Sequence, residues 1–204
     1  MTKALNFNSL KFFFVIILLY ITQPIYADTF IRDDLILNPT PSRFNICHGG
    51  TCEKIAYASL DDQQWQVIKN IFKNNKTARK ERENIRLAVA KMEKFVGEIT
   101  NTYNDKAENI SDKQLNHYMD CIDESTNTSL YLTMMKNDEL IKFHTIQDRE
   151  NRGLFFNGWP HTTAVIKEKG TNDSYAVDSW FLDNGEQPFI VPLHEWLDGW
   201  RANE

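Results

Sequence analysis

The chain is 204 residues long, 42% hydrophobic, 12% aromatic and 25% charged, with 8 Gly and 6 Pro. Those fractions belong to an ordinary globular protein and exclude collagen-like, repeat, disordered and polytopic membrane classes. With 23 basic against 28 acidic residues the net charge is −5, and no Lys/Arg tract marks a nucleic-acid footprint.

Residues 1–27 read as a secretory signal. Lys3 and Lys11 form a basic start, Phe12 to Ile21 is an unbroken apolar run, and Ala27 offers a small residue for cleavage. Ten apolar residues rise about 15 Å as a helix, half of a hydrocarbon core of roughly 30 Å. The expectation is export to a periplasmic or extracellular space, with no stable membrane insertion after signal removal. An uncleaved anchor is the competing reading. Cleavage takes away two lysines and no acid, leaving 177 residues at net charge −7. A chain of that size makes one domain with a sizeable core.

Residues 28–60, with Pro39, Pro41, Gly49 and Gly50, read as an extended arm and loop. Within it Cys47 and Cys52 enclose His-Gly-Gly-Thr, a spacing that closes a small disulfide ring in an oxidising compartment. Zinc is the alternative, but no second close ligand pair exists and His48 alone does not complete a site. A single domain is expected over residues 61–204. Trp65, Ile68, Ile71 and Phe72 recur at helical spacing behind an Asp61 or Asp62 cap. A second helix spans about Thr77 to Thr100, with an apolar stripe through Ile85, Val89, Met92 and Val96. Its alternating charges, Arg79 to Glu83, read as a solvated face.

Residues 101–113 are polar and read as loop, and a further apolar stretch runs from near Leu115 through Met135. Strand-like texture follows at 141–146, 162–166 and 174–182, with Lys169 to Asp173 as turn chemistry between the last two. Pro192 opens a short amphipathic helix carrying Leu193, Trp196, Leu197 and Trp200. Helices first and strands afterwards predict an α+β fold with an antiparallel sheet.

Cys121 has no cysteine partner in this scheme. It is inert packing, an intermolecular disulfide or a reactive thiol. If a helix begins at Cys121, the free N–H groups of its first turn favour a thiolate, while Asp120, Asp123 and Glu124 oppose it. Something else must supply the positive charge, and His161 is the candidate. His161 opens a strand and Asp178 lies on the next one. With residues 168–173 as the turn, Lys167 faces Ser174, and His161 and Asp178 project from one face within cross-strand reach. A register tighter by two sets them directly opposite. Cys, His and Asp in that order form a nucleophile, a general base and an orienting carboxylate. His144 and His117 are alternative bases.

Three segments carry a resemblance: Asp120-Cys121-Ile122-Asp123-Glu124, Trp159-Pro160-His161-Thr162-Thr163-Ala164-Val165, and Tyr175-Ala176-Val177-Asp178-Ser179-Trp180. In order and local text they resemble the transglutaminase-like branch of the papain-like cysteine enzymes, over about residues 111–185. Bacterial transglutaminase-like cysteine proteinases are the similar exported subset. The resemblance implies a papain-like or transglutaminase-like fold, with a catalytic helix packed on a small antiparallel sheet. It implies acyl transfer on a protein or peptide substrate, by hydrolysis or transamidation, with Cys121 as nucleophile, His161 as base and acid, and Asp178 as orienter.

Some members of that subset hold calcium through acids flanking the cysteine. Here Asp120 matches the first, but Ile122 stands where the second would be, so no metal or other cofactor is assigned. Gly often precedes the cysteine in that family, and Asp120 replaces it here. The Cys121 N–H is one candidate oxyanion donor, and Gln114 or Asn116 the second. The competing function is a catalytically inactive peptide- or glycan-binding or assembly factor on the same fold, using Trp159, Trp180 and Trp196. The chain is expected to be a monomer with no nucleic-acid partner, and an intermolecular Cys121 disulfide is a third, weaker possibility.

Overall fold

A computed structural model describes residues 32–110, 117–153 and 160–202. The proposed signal, Gln114, Asn116 and Trp159 lie outside the described residues. Among those residues no helix is long and apolar enough to cross a membrane. The architecture is mixed α and β, with four helices and two small antiparallel sheets in the described part.

The first sheet is a hairpin of β1 (Phe44–His48) and β2 (Lys54–Ala58), paired Phe44 with Ala58 through His48 with Lys54. This corrects the reading of residues 28–60 as arm and loop. Every residue of β1 is buried, including polar Asn45 and His48, so apolar alternation is missing from the text. Asn45 is satisfied by the arm, accepting from the Ile36 N–H and donating to the Asp34 carbonyl.

Helix α1 (Asp62–Ile71) starts at Asp61, whose carboxylate accepts the Gln64 N–H while the Gln64 side chain returns to the Asp61 N–H. Helix α2 (Ala78–Thr100) is capped by Thr77 and ends on Asn101, which adopts the left-handed conformation at φ 62°. Its stripe of Ile85, Ala88, Val89, Met92 and Val96 is buried. The charged face is not wholly solvated as expected, because Glu81 is fully buried.

Helix α3 (Cys121–Asn137) is the centre of the molecule. It packs against β1 and α2, and also against β3 (His144–Arg152), β4 (His161–Glu168) and β5 (Ser174–Asp178). A helix covered on so many sides cannot show a simple amphipathic stripe, and Leu130, Tyr131, Leu132, Met134 and Met135 are all buried.

The second sheet runs in the order β3-β4-β5-β6, all antiparallel, with β6 at Phe189–Pro192. Lys167 pairs with Ser174 and Ala164 with Val177, the longer-turn register. Strand β3 begins later than the apolar text implied. Glu81 accepts the N–H groups of Lys142, Phe143 and His144, so ladder pairing starts only at His144. Between Gln147 and Glu150 the ladder slips, and Asp148 and Arg149 together face the single residue Ala164. Such a bulge re-aims side chains. Helix α4 (Leu193–Leu197) follows β6 directly and buries Trp196 completely.

Candidate active site

Cys121 is the first residue of α3, and Asp120 is its N-cap. The Asp120 Oδ1 accepts the N–H groups of Ile122 and Asp123 at 3.0 Å, while Oδ2 accepts the Thr51 N–H at 2.7 Å. A carboxylate at this position satisfies helix donors that a glycine could not.

The Cys47–Cys52 disulfide loop sits on the same helix end. Gly49, Gly50, Thr51 and Cys52 all have positive φ, between 50° and 88°, which turns successive N–H groups inward. Gly50 and Cys52 donate to the two Asp123 oxygens at 2.7 Å. A Cβ on Gly50 would meet the Tyr118 hydroxyl at 2.6 Å, so the loop demands glycine there for space as well as conformation. One turn along, Asn127 pairs with β1 as a strand edge would, accepting the Cys47 N–H at 2.8 Å and donating to its carbonyl at 2.9 Å. The ligand-type cluster of Cys47, Cys52 and Asp123 offers no thiolate to a metal. Its sulfurs are joined and its carboxylate is taken by main-chain donors.

His161 opens β4 beside this helix end and is buried. Its Nε2 lies 2.7 Å from Asp178 Oδ2. The same oxygen accepts the Trp196 Nε1–H at 2.7 Å. The imidazole is ringed by Trp180, Phe181 and Trp196, with centroids 4.6, 5.1 and 5.4 Å away. Its other nitrogen, Nδ1, is buried and has no hydrogen-bond partner among the described residues. The residue after it, Thr162, directs its backbone N–H to the Cys121 sulfur, and Asp178 is close enough to act on that sulfur electrostatically. The three residues singled out from the sequence therefore gather where α3, β4 and β5 meet.

Burial pushes the Cys121 thiol up to about 11, and the charges of Asp120 and Asp178 add to it against the Thr162 hydrogen bond. The resting sulfur is therefore a protonated thiol at neutral pH. Arg149 is a positive charge that acts on it electrostatically. The guanidinium donates from Nη1 to the Ile122 carbonyl at 3.3 Å and to the Thr126 hydroxyl. Sequence reasoning missed Arg149, since only the β-bulge brings it onto the helix-facing side.

Behind the trio lies a second group that the sequence did not announce. Glu93 of α2, Asp105 of the following loop and Glu124 of α3 are buried close to one another. Ser179 donates to Glu124 at 2.9 Å, and Asp105 accepts the Met119 N–H at 2.8 Å. Burial pushes Glu93 up to about 8 and Asp105 up to about 6, and raises Glu124 well above the carboxylate range; repulsion from neighbouring carboxylates adds to the rise of Glu93 and Glu124, while hydrogen bonds, one of them with Glu124, restrain Asp105.

The alternative bases are placed elsewhere. His144 is fully buried with Nδ1 2.8 Å from Glu81, anchoring the start of β3. His117 stacks on His48 at 5.2 Å. Trp196 and Trp180 pack around His161 rather than forming an open aromatic groove. No family model matches the chain, and neither does any curated protein or solved structure.

Proposed function

We propose that this protein is an exported thiol enzyme of transglutaminase-like type that performs acyl transfer at peptide or amide bonds. The observation that carries the reading is the state of His161. One ring nitrogen is tied to Asp178 at 2.7 Å, and the other is buried without a partner beside the helix start that bears Cys121. His48 and His117 also keep a buried Nδ1 without a partner among the described residues, but only His161 combines that free nitrogen with a carboxylate on the other one, which is what a general base needs.

In this mechanism the Cys121 thiol loses its proton to His161 Nδ1 as the sulfur attacks the substrate carbonyl. The S–C bond forms and the carbonyl π pair moves to oxygen, where the Cys121 N–H is one available donor. Collapse breaks the C–N bond, and the His161 proton goes to the leaving amine. Water or a second amine then resolves the acyl-enzyme, with His161 again handling the proton. Asp178 holds the ring and offsets the imidazolium charge. Trp196 fixes the Asp178 oxygen, and the surrounding aromatic faces favour the cation.

The test is alkylation of folded protein with iodoacetamide, read by mass spectrometry at each cysteine. Cys121 should react faster in the wild type than in a His161→Asn variant between pH 6 and 8, and Cys121→Ala should remove the adduct while keeping the fold. Equal Cys121 rates in the wild type and the His161→Asn variant would refute it.

The elevated thiol favours a second reading, a binding or assembly factor on the same scaffold without turnover. That reading predicts the same ligand affinity in wild type and Cys121→Ala, with no product from either.

A further inference from the structure

Arg149 is a half-buried guanidinium, and no carboxylate pairs with it among the described residues. Among the described residues it makes two hydrogen bonds, both from Nη1 to α3: to the Ile122 carbonyl and the Thr126 hydroxyl. Nε and Nη2 have no hydrogen-bond partner among the described residues. The other acids at the site are committed. Asp120 accepts three main-chain N–H groups, and Asp178 accepts from His161 and Trp196. Asp123 accepts from Gly50, Cys52 and Asp120. A cation withdrawn from water normally has a counter-charge, and the group whose charge would act on this one is the Cys121 sulfur, which rests as a neutral thiol.

The placement of Arg149 has a structural cause. His144 and Ile146 point toward the helices, and regular alternation would next bring Asp148 to that face. The bulge opposite Ala164 sets Arg149 there instead, against the first turn and a half of α3. The guanidinium is thereby held against the helix start that bears Cys121, close enough to interact electrostatically with the sulfur, and a fork of guanidinium donors binds carboxylates.

We propose that Arg149 binds a carboxylate of the substrate, so that the enzyme acts on amides carrying a free carboxylate near the scissile carbonyl. This rests on the thiol-enzyme reading above and adds a substrate class to it. A bound carboxylate supplies the counter-charge that Arg149 lacks, and fixes the reacting carbonyl over Cys121.

The test compares two alkylating agents of nearly the same shape, iodoacetate and iodoacetamide. Each forms a C–S bond and releases iodide, and they differ in a carboxylate against a neutral amide. The ratio of their rates at Cys121 is normalised to the ratio for glutathione in the same buffer. In the wild type the normalised ratio should favour iodoacetate by roughly tenfold, and should shrink with added salt. Arg149→Gln should return it to one, while Arg149→Lys keeps part of it. N-acetylglutamate should protect Cys121 from iodoacetamide in the wild type, and its neutral diamide, with both carboxylates amidated, should not.

A ratio near one that Arg149→Gln leaves unchanged, with iodoacetamide still reacting in a His161-dependent way, overturns the carboxylate site and leaves the nucleophile standing. Loss of His161 dependence removes both. The iodoacetamide rate and the urea midpoint of Arg149→Gln show whether that variant keeps its fold, and Arg149→Lys reads the charge if it does not.

Discussion

The buried carboxyls behind the trio make a sharp prediction for Glu93→Gln. Glu93 is 4% exposed, accepts the Gly185 N–H through Oε2 at 2.9 Å, and leaves Oε1 without a partner. Burial is the main cause that pushes it up to about 8, with Asp105 adding repulsion and the Gly185 and Ser179 hydrogen bonds and Lys94 opposing. An unfolded Glu titrates near 4.5, so the folded chain holds a proton that the unfolded chain releases. Stability is therefore lost as pH rises from about 4.5 toward 8. At about 1.4 kcal/mol per unit, and allowing for sharing among three carboxyls, Glu93 alone should cost the wild type roughly 3 kcal/mol at pH 8.

The amide needs no proton. It retains an acceptor for Gly185, and its NH₂ replaces the orphaned oxygen in a region rich in carboxylate acceptors. Glu93→Gln should thus be more stable than wild type at pH 8, by about 2–3 kcal/mol, and about equal to it at pH 5. Urea melts at the two pH values, followed by tryptophan fluorescence, give the comparison directly. A variant less stable than wild type at both pH values would refute the argument and make Glu93 an ionised structural anchor instead. In the wild type, Asp123, pushed up to about 7 chiefly by burial, and Asp105 act in the same direction. Glu81 acts in the opposite one, because the hydrogen bonds from His144, Lys142, Asn75 and Phe143 outweigh its burial and hold it below the usual range. Its contribution is present above about pH 4.5 and lost as pH falls below that. Wild-type stability should peak near pH 5.

Three other variants probe the supports of the site. Trp196→Phe keeps the ring but removes the N–H that Asp178 accepts at 2.7 Å, and should cost about 1.5–3 kcal/mol in a urea melt while slowing Cys121 alkylation. Glu81→Ala strips acceptors from three main-chain N–H groups and from His144, and should cost about 3–5 kcal/mol at pH 7 by the same melt. A Cys47→Ser, Cys52→Ser double variant opens a short loop and should cost about 2 kcal/mol. Because that loop also holds Asp123, the double variant should lose protection from hydrogen exchange at the N–H groups of Gly50 and Cys52, which mass spectrometry of the loop peptides reads.

What could be read along the chain was local. Asp61 and Thr77 cap helices where their side chains can reach the first free N–H groups, and Lys169 to Asp173 turn where Gly170 and Asn172 take up positive φ. The α+β class and the longer-turn hairpin register follow from such features. The elements that were not foreseen have polar groups inside them. Strand β1 carries Asn45 and His48 within a wholly buried run, and β6 is four residues long and ends in proline. Neither leaves a periodic pattern, since burial there is made tolerable by partners distant in sequence.

The same reasoning explains why the trio was easier to see than its surroundings. Cys121, His161 and Asp178 stand at a helix start and on neighbouring strands, positions that spacing alone can locate. Glu81, Glu93 and Asp123 are ordinary acids in helical text, and nothing local distinguishes them from solvated ones. They are buried because main-chain N–H groups at 142–144, at Gly185, and at Gly50 and Cys52 lie against them. Each such acid ties a loop or a strand start to a helix. If Cys121 is the nucleophile, its placement depends on the Asp120 and Asp123 attachments as much as on α3 itself. Loosening the disulfide loop should therefore change the chemistry at the sulfur before it unfolds the sheet that carries His161 and Asp178.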